Sequence, residues 1–472
     1  MRILLTNSPF QYYHTTAFFH PDWGALNLAQ LAAMVDTEEN QIKILDNWHF
    51  WFKSDEILKS IEEFEPDLVA VSNSTDGDTF SVGEVGAEIK KKYPEIVLIA
   101  GGQAATINYK YLLEKGFDFI ALGEAEYTFK EFVERLSNKR GDFLDIKGLV
   151  FVKDGEIVQT VERPFLKNID ELPFPARKYQ PKLKSIFFPG RYSSEIETAR
   201  GCPYGCDFCS ITTFFKRTLR KKSNDRILEE LRDIKKNIGA TQIYFIDDVF
   251  GVNAEEYKDL FRAMISEKLD IKWFTQIRPD TVANNPEMMD LAAQSGMFGA
   301  LVGFESYDKD VLKGINKLGS GEINIKASEI MRKNNIVIFG VHMFGIPNQT
   351  EADFKQTYDY GRKYSDIFRM SKFSVIPGTP IFDRYEKEGK IKRYAEKQYA
   401  YTYGLVDKGE KDKKIARLYF YYLFRHTFSP FTFLDMLLTK DRLKRKMKWQ
   451  GFIVNIRYGF YFILRKIGFK IL

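Results

Sequence analysis

Cys202, Cys206 and Cys209 are the only cysteines of the chain, and they fall within eight residues. The stretch reads Arg200-Gly201-Cys202-Pro203-Tyr204-Gly205-Cys206-Asp207-Phe208-Cys209. Three thiolates on one short loop can each take one iron of a cubane 4Fe–4S cluster. The fourth iron then lacks a protein ligand, and an open metal position is where a cosubstrate can bind and react. A structural zinc ion needs four ligands, and none of the five histidines is close in sequence. Zinc therefore requires a distant residue to fold in. A chance group of buried thiols does not explain why all three share a Gly-rich loop. The spacing favours iron–sulfur over both alternatives.

Such a loop must be held by a scaffold. It directly follows a predicted strand, Glu195–Arg200, the first of six. The others are expected at Gln242–Asp247, Lys272–Ile277, Ala300–Phe304, Ile336–Phe344 and Phe368–Val375, with helical patterns between them. Strands alternating with helices predict a parallel barrel, incomplete or full, with its chemistry at the carboxyl ends of the strands. A separate series precedes it, with strands at Arg2–Thr6, Gln41–Asp46, Asp67–Ser72, Val97–Ala100 and Phe119–Leu122. That pattern predicts a doubly wound parallel sheet whose ligand sits outside the strand ends. The expected α/β chain thus divides into a flavodoxin-like sheet over 1–140, a linker with a hairpin over 141–194, a (βα)6 partial barrel over 195–390, and a mostly helical aromatic and basic tail over 391–472.

The cysteine spacing, with Phe208 before the last thiol, resembles the motif of the radical S-adenosylmethionine (SAM) superfamily. The resemblance implies that Cys202, Cys206 and Cys209 hold a 4Fe–4S cluster. It also implies that SAM chelates the open iron and that Phe208 packs near the adenine. One electron passed into the sulfonium would release a 5′-deoxyadenosyl radical, which can take hydrogen from an unactivated C–H bond. Phe245-Ile246-Asp247-Asp248-Val249-Phe250 stands where the family usually has Gly-Gly-Glu. This departs from the common form, although an acidic residue can still accept from the SAM amino group. The Asp-Asp-x-Phe form, with Arg278 and Glu305 at the next strand ends, looks like the branch that carries an N-terminal cobalamin-binding domain. That branch includes hopanoid methylases, a porphyrin-ring cyclase and archaeal lipid ring-forming enzymes. By analogy the tail of cobalamin would lie among Asn7, Ser72, Ser74, Thr75, Gly101, Gly102 and Gly123, with the corrin facing the barrel mouth. The Asp-x-His-x-x-Gly signature is absent, which implies a cobalt without a histidine ligand. His14, His20 and His342 are lesser candidates, the last as a side chain pointing into the barrel.

Charge is unevenly spread. The net value is +6, yet residues 411–472 hold 15 Lys and Arg against 3 Asp, a surplus of 12. Aromatic residues supply 15 of those 62 positions. Apolar blocks broken by basic residues suit a bilayer surface or a buried helical cap better than nucleic acid, whose binders space their aromatics as stacking platforms. The chain has no apolar run long enough to span a membrane and no signal-like start, and its few cysteines suit a reducing cytoplasm. The expected location is cytoplasmic, with peripheral contact on the inner membrane face as an option. The expected activity is radical functionalisation of an unactivated carbon in a hydrophobic, lipid-like substrate, with a ferredoxin or flavodoxin as reductant. Methyl transfer is the first outcome and ring formation the second. A non-catalytic corrinoid or redox sensor is the alternative of another class.

Overall fold

A computed structural model describes residues 1–9, 24–46, 54–74, 79–138 and 142–392, and, of the rest, 405–406, 414, 417–418, 421–422, 424 and 428–466. The N-terminal sheet contains β1 (Arg2–Asn7), β2 (Gln41–Leu45), β3 (Leu68–Ser72), β4 (Val97–Gly101), β5 (Phe119–Ala121), β6 (Leu149–Lys153) and β7 (Glu156–Gln159). Their order is β2-β1-β3-β4-β5-β6-β7. The first five run parallel. Helices cover both faces, so β3, Leu-Val-Ala-Val-Ser, is buried at every position and reads as a continuous apolar run. Leu26–Val35 and Glu126–Ser137 pack on one face, while Ser54–Phe64, Thr79–Lys92 and Tyr109–Glu114 pack on the other.

The hairpin expected in the linker joins this sheet. β6 pairs antiparallel with β5, and β7 with β6. Asp154 (φ 53°) and Gly155 (φ 82°) make the turn, as a two-residue hairpin with left-handed central residues requires. Phe151 packs on Phe119 and Phe143, so the hairpin buries its own apolar face and covers the β5 edge.

The second sheet begins with β8 (Leu183–Lys184) and β9 (Tyr192–Ile196). The predicted strand Glu195–Arg200 is divided. β9 ends at Ile196, and Ala199–Gly201 leaves the sheet as β10 to pair with β11 (Leu219–Lys221). Then follow β12 (Ala240–Phe250), β13 (Lys272–Ile277), β14 (Met297–Glu305), β15 (Val337–Phe344) and β16 (Ile367–Lys372). The order β16-β15-β14-β13-β12-β9-β8 puts six parallel strands in one curled partial barrel, with β8 antiparallel at the edge.

Alternate residues of each strand serve different cores. Phe245, Trp273, Val302 and Ile338 pack outward against the helices. Tyr244, Phe274, Phe298 and Phe339 pack inward, near the amino ends of their strands. The C-terminal helix Arg442–Lys466 plugs this floor with Met447, fully buried, and Leu443. Part of the tail is therefore a cap, on the side of the barrel away from the strand ends that carry chemistry. Among the described residues, no helix is long and apolar enough to cross a membrane.

Candidate active site

The cysteine loop runs from β10 into the short helix Ser210–Phe214. Gly201 starts it at φ 85°, where a Cβ would lie 2.3 Å from the Thr218 carbonyl oxygen; no other residue fits there. Backbone bonds then pin the loop: Cys209 N–H donates to Cys206 O (3.2 Å) and Asp207 N–H to Ile315 O (3.1 Å). None of the three thiols is in a disulfide. The Arg278 guanidinium, at the end of β13, donates to Cys206 Sγ across 3.9 Å. It stacks over Tyr204 at 3.8 Å and pairs with Asp280 at 2.9 Å. Phe208 packs on Phe373 and its neighbours.

Burial pushes the Cys209 thiol up to about 11 and raises that of Cys202 as well. Bare thiols in this setting resist ionisation, whereas positive iron would hold them as thiolates. Among the described residues, no three His, Cys, Asp or Glu side chains converge on one point as a single ion requires. A cubane asks something different, because each thiolate takes its own iron. Three unpaired soft donors on one pinned loop fit that demand.

The two acids of β12 part company. Asp248 accepts from Gly201 N–H (3.0 Å) and lines the cavity described below; burial raises it to about 6. Asp247 does not face that space. Its carboxylate is fully buried and accepts from Thr198 N–H (2.6 Å), Ala199 N–H (3.1 Å) and the Thr198 hydroxyl. It fastens the bend between β9 and β10, so the expectation that it holds the SAM amino group is corrected to a structural role. Glu305, at φ 59°, is paired with the buried Lys317 ammonium at 2.7 Å. The sequence reading missed the segment Ile315–Leu318, which gathers these groups. Asn316 Nδ2 donates to Gly205 O (2.7 Å), and Leu318 O accepts from Arg278 (3.3 Å). Its residue types carry no motif.

A cavity of about 290 Å³ lies between the two sheets. Ser72, Ser74, Gly101, Gly102 and Gly123 line it from the N-terminal strand ends; Glu197, Arg200, Ile211, Phe214, Phe215, Ile246 and Asp248 face them from the barrel. A Cβ on Gly123 would meet nothing within 4 Å, so the main chain there is open to a ligand. Gly102, at φ 101°, has Asn73 O 2.7 Å from where a Cβ would stand. This glycine floor can receive the narrow tail of a corrinoid against bare backbone, which fits the expectation for these strand ends.

Asn7 is not on that wall. It is buried and donates to Asp46 (3.0 Å), whose other oxygen accepts from Ala25 N–H (2.7 Å). It thus helps hold the start of helix Leu26–Val35, and its expected cofactor contact is corrected accordingly. Thr75, His14 and His20 lie outside the described residues. His342 points away from the barrel interior. It is buried among Phe304, Tyr360 and Phe368 in the helix-facing layer, and burial pushes it down to about 4.

Glu124, also unforeseen, binds the sheets together. It takes a bidentate bond from Arg220 (2.7 and 2.8 Å) and lies 3.4 Å from Arg200. Arg200 reaches Glu126 (2.6 Å) and Glu197 (2.8 Å). Burial opposes the Glu124 charge, but Arg220 and Arg200 outweigh it and hold its carboxyl below the usual range. The place of Glu124 after Gly123, and of Arg200 before the first cysteine, is the sequence signal that marks them.

A doubly wound domain with a glycine floor stands against a partial barrel that carries three free thiols, a layout that sets one cofactor position beside another. Residues 196–361 match the radical SAM superfamily and residues 15–133 match the B12 binding domain. The chain is an enzyme with a B12-binding domain ahead of a radical SAM domain, and its cofactors are a 4Fe–4S cluster, SAM and cobalamin. It is 29% identical over 365 residues to an uncharacterized methyltransferase of Pyrococcus horikoshii, covering 76% of this chain and 77% of that protein. It is 28% identical over 332 residues to the hopanoid C-3 methylase of Methylococcus capsulatus, covering 69% of this chain and 62% of that protein. Its fold is similar to that of the cobalamin-dependent S-adenosylmethionine radical enzyme OxsB with aqua-cobalamin bound. The TM-score is 0.71 at 16% identity, over 98% of this chain and 75% of that one.

Proposed function

We propose that the chain transfers a methyl group to an unactivated carbon of a hydrophobic substrate. One observation carries this reading: the strand ends of the B12-binding domain and the segment that follows the cysteines line the same cavity. When bound, the cofactors supply an electron, a hydrogen-abstracting radical and a methyl group. The protein's own side chains have the remaining tasks. Cys202, Cys206 and Cys209 hold the cluster. Arg278 sets the charge beside Cys206, while Asp248 and Glu305 offer acceptors to the SAM ammonium. Phe208 packs on the adenine. Ile211, Phe214, Phe215 and Ile246 form an apolar wall that excludes water and suits an apolar substrate. The names of the two curated relatives, a methyltransferase and a hopanoid methylase, support methylation. They make polycyclic lipids the first substrates to try. Helix Arg442–Lys466 does not bear on the substrate, because its Leu443 and Met447 pack at the opposite end of the barrel.

The test is anaerobic turnover of cluster-loaded, cobalamin-loaded protein with SAM and a ferredoxin or flavodoxin reductant, supplied with lipid extract from a deletion strain. A product one CH2 heavier, together with 5′-deoxyadenosine, is expected. A product lighter by two hydrogens would replace methylation by ring formation. Absence of SAM cleavage would sink both.

A further inference from the structure

The described part of the tail leaves an apolar face uncovered. Helix Pro430–Leu438 buries Met436 yet exposes Phe433, Leu434, Leu437 and Leu438, the last two at 60% and 67%. Residues 433, 437, 434 and 438 fall on one arc of the helix, so this is a contiguous face rather than scattered positions. Phe424 and Phe428, in tilted contact with ring centres 4.7 Å apart, and Ile453 are exposed as well. Patches of this kind on a water-soluble surface mark an interaction site.

Cations outnumber acids around the face. Of the two acids there, Asp435 is already paired with Lys448 at 2.8 Å, and Asp441 accepts from Lys444 N–H at 2.7 Å at the start of the next helix. Lys440, Arg442 and Arg445 follow within two turns, all exposed and with no ion pair among the described residues. From this geometry we infer that helix Pro430–Leu438 and the first turn of helix Arg442–Lys466 form a docking surface for an anionic lipid bilayer. The leucines enter the interfacial layer and the cations meet lipid phosphates. A second copy of the chain is a poor occupant, since it would bring the same unpaired cations face to face. The buried side of this tail packs on the floor of the barrel through Leu443 and Met447. The docked enzyme therefore turns its cofactor cavity away from the lipid, towards a soluble reductant. This inference does not depend on the methyl-transfer reading.

Vesicle flotation of the full-length, cluster-loaded protein tests it. Binding is expected to vesicles containing phosphatidylglycerol and not to pure phosphatidylcholine, and to weaken steeply at high salt. Arg442→Ala with Arg445→Ala should weaken it roughly five-fold per charge removed. Leu437→Glu with Leu438→Glu should abolish it while leaving the melting temperature and SAM cleavage unchanged, since both side chains are already in water. Equal flotation with both vesicle types, or flotation that survives the double glutamate variant, would overturn the inference. So would a dimer in sedimentation velocity that the same variant converts to monomer, which would make the face a contact between copies.

Discussion

At the scale of single residues, the site depends on which way a side chain points. Asp247 and Asp248 are adjacent on one strand and so face opposite sides. One fastens a bend and the other reaches the cavity. Residue type could nominate the pair, but only the pairing of β12 with its neighbours decides between them. Arg278 was legible as a polar strand end, and its contact with Cys206 follows from the fold. A cation beside a buried thiolate favours the more negative state. Arg278→Gln should lower the reduction potential of the cluster by about 60 mV, a tenfold shift for one electron, read by potentiometric titration followed by electron paramagnetic resonance. Cys206→Ala should remove the iron–sulfur absorption and all SAM cleavage. Glu195 adds a pH effect. Buried beside Asp46 with only Gly24 N–H and Arg177 to offset it, its carboxyl rises to about 7. Between pH 4.5 and 7 the native protein keeps a proton that the unfolded chain has released, so this contribution to stability is lost as pH rises. Glu195→Gln cannot titrate and should melt with wild type at pH 5 and above it at pH 8. Equal melting at both values would refute this.

At the scale of elements, period and punctuation revealed most strands, because β3 and β4 are apolar runs bounded by turns. The division of β9 from β10 was not legible. Glu195–Arg200 has no glycine or proline at the bend, and the break comes from a tertiary contact with Asp247. The hairpin turn was legible, but its membership of the N-terminal sheet was not, since register with β5 depends on a face that the local pattern does not address. Glu124 binds the β10–β11 ribbon to the first domain. Removing one partner of a buried ion pair leaves the others uncompensated. Glu124→Ala should cost about 3–5 kcal/mol in denaturant unfolding and reduce the cobalamin retained through gel filtration.

For the whole molecule, the tail was readable as aromatic and basic, but not as a plug, because the floor it closes is assembled from five distant strands. Met447→Ala leaves a void in that floor and should cost about 2–5 kcal/mol, measured by chemical denaturation. SAM cleavage per folded molecule should be unchanged, since the floor is remote from the thiols. The cavity, finally, has one wall from each of two sheets, and neither sheet alone can enclose anything. A molecule that touches both walls acts as a rivet: its affinity is added to the attachment between the halves, and the addition grows with its concentration. Cells short of the vitamin should therefore contain a looser, more protease-sensitive form of this protein, and vitamin supply would govern how long each copy survives.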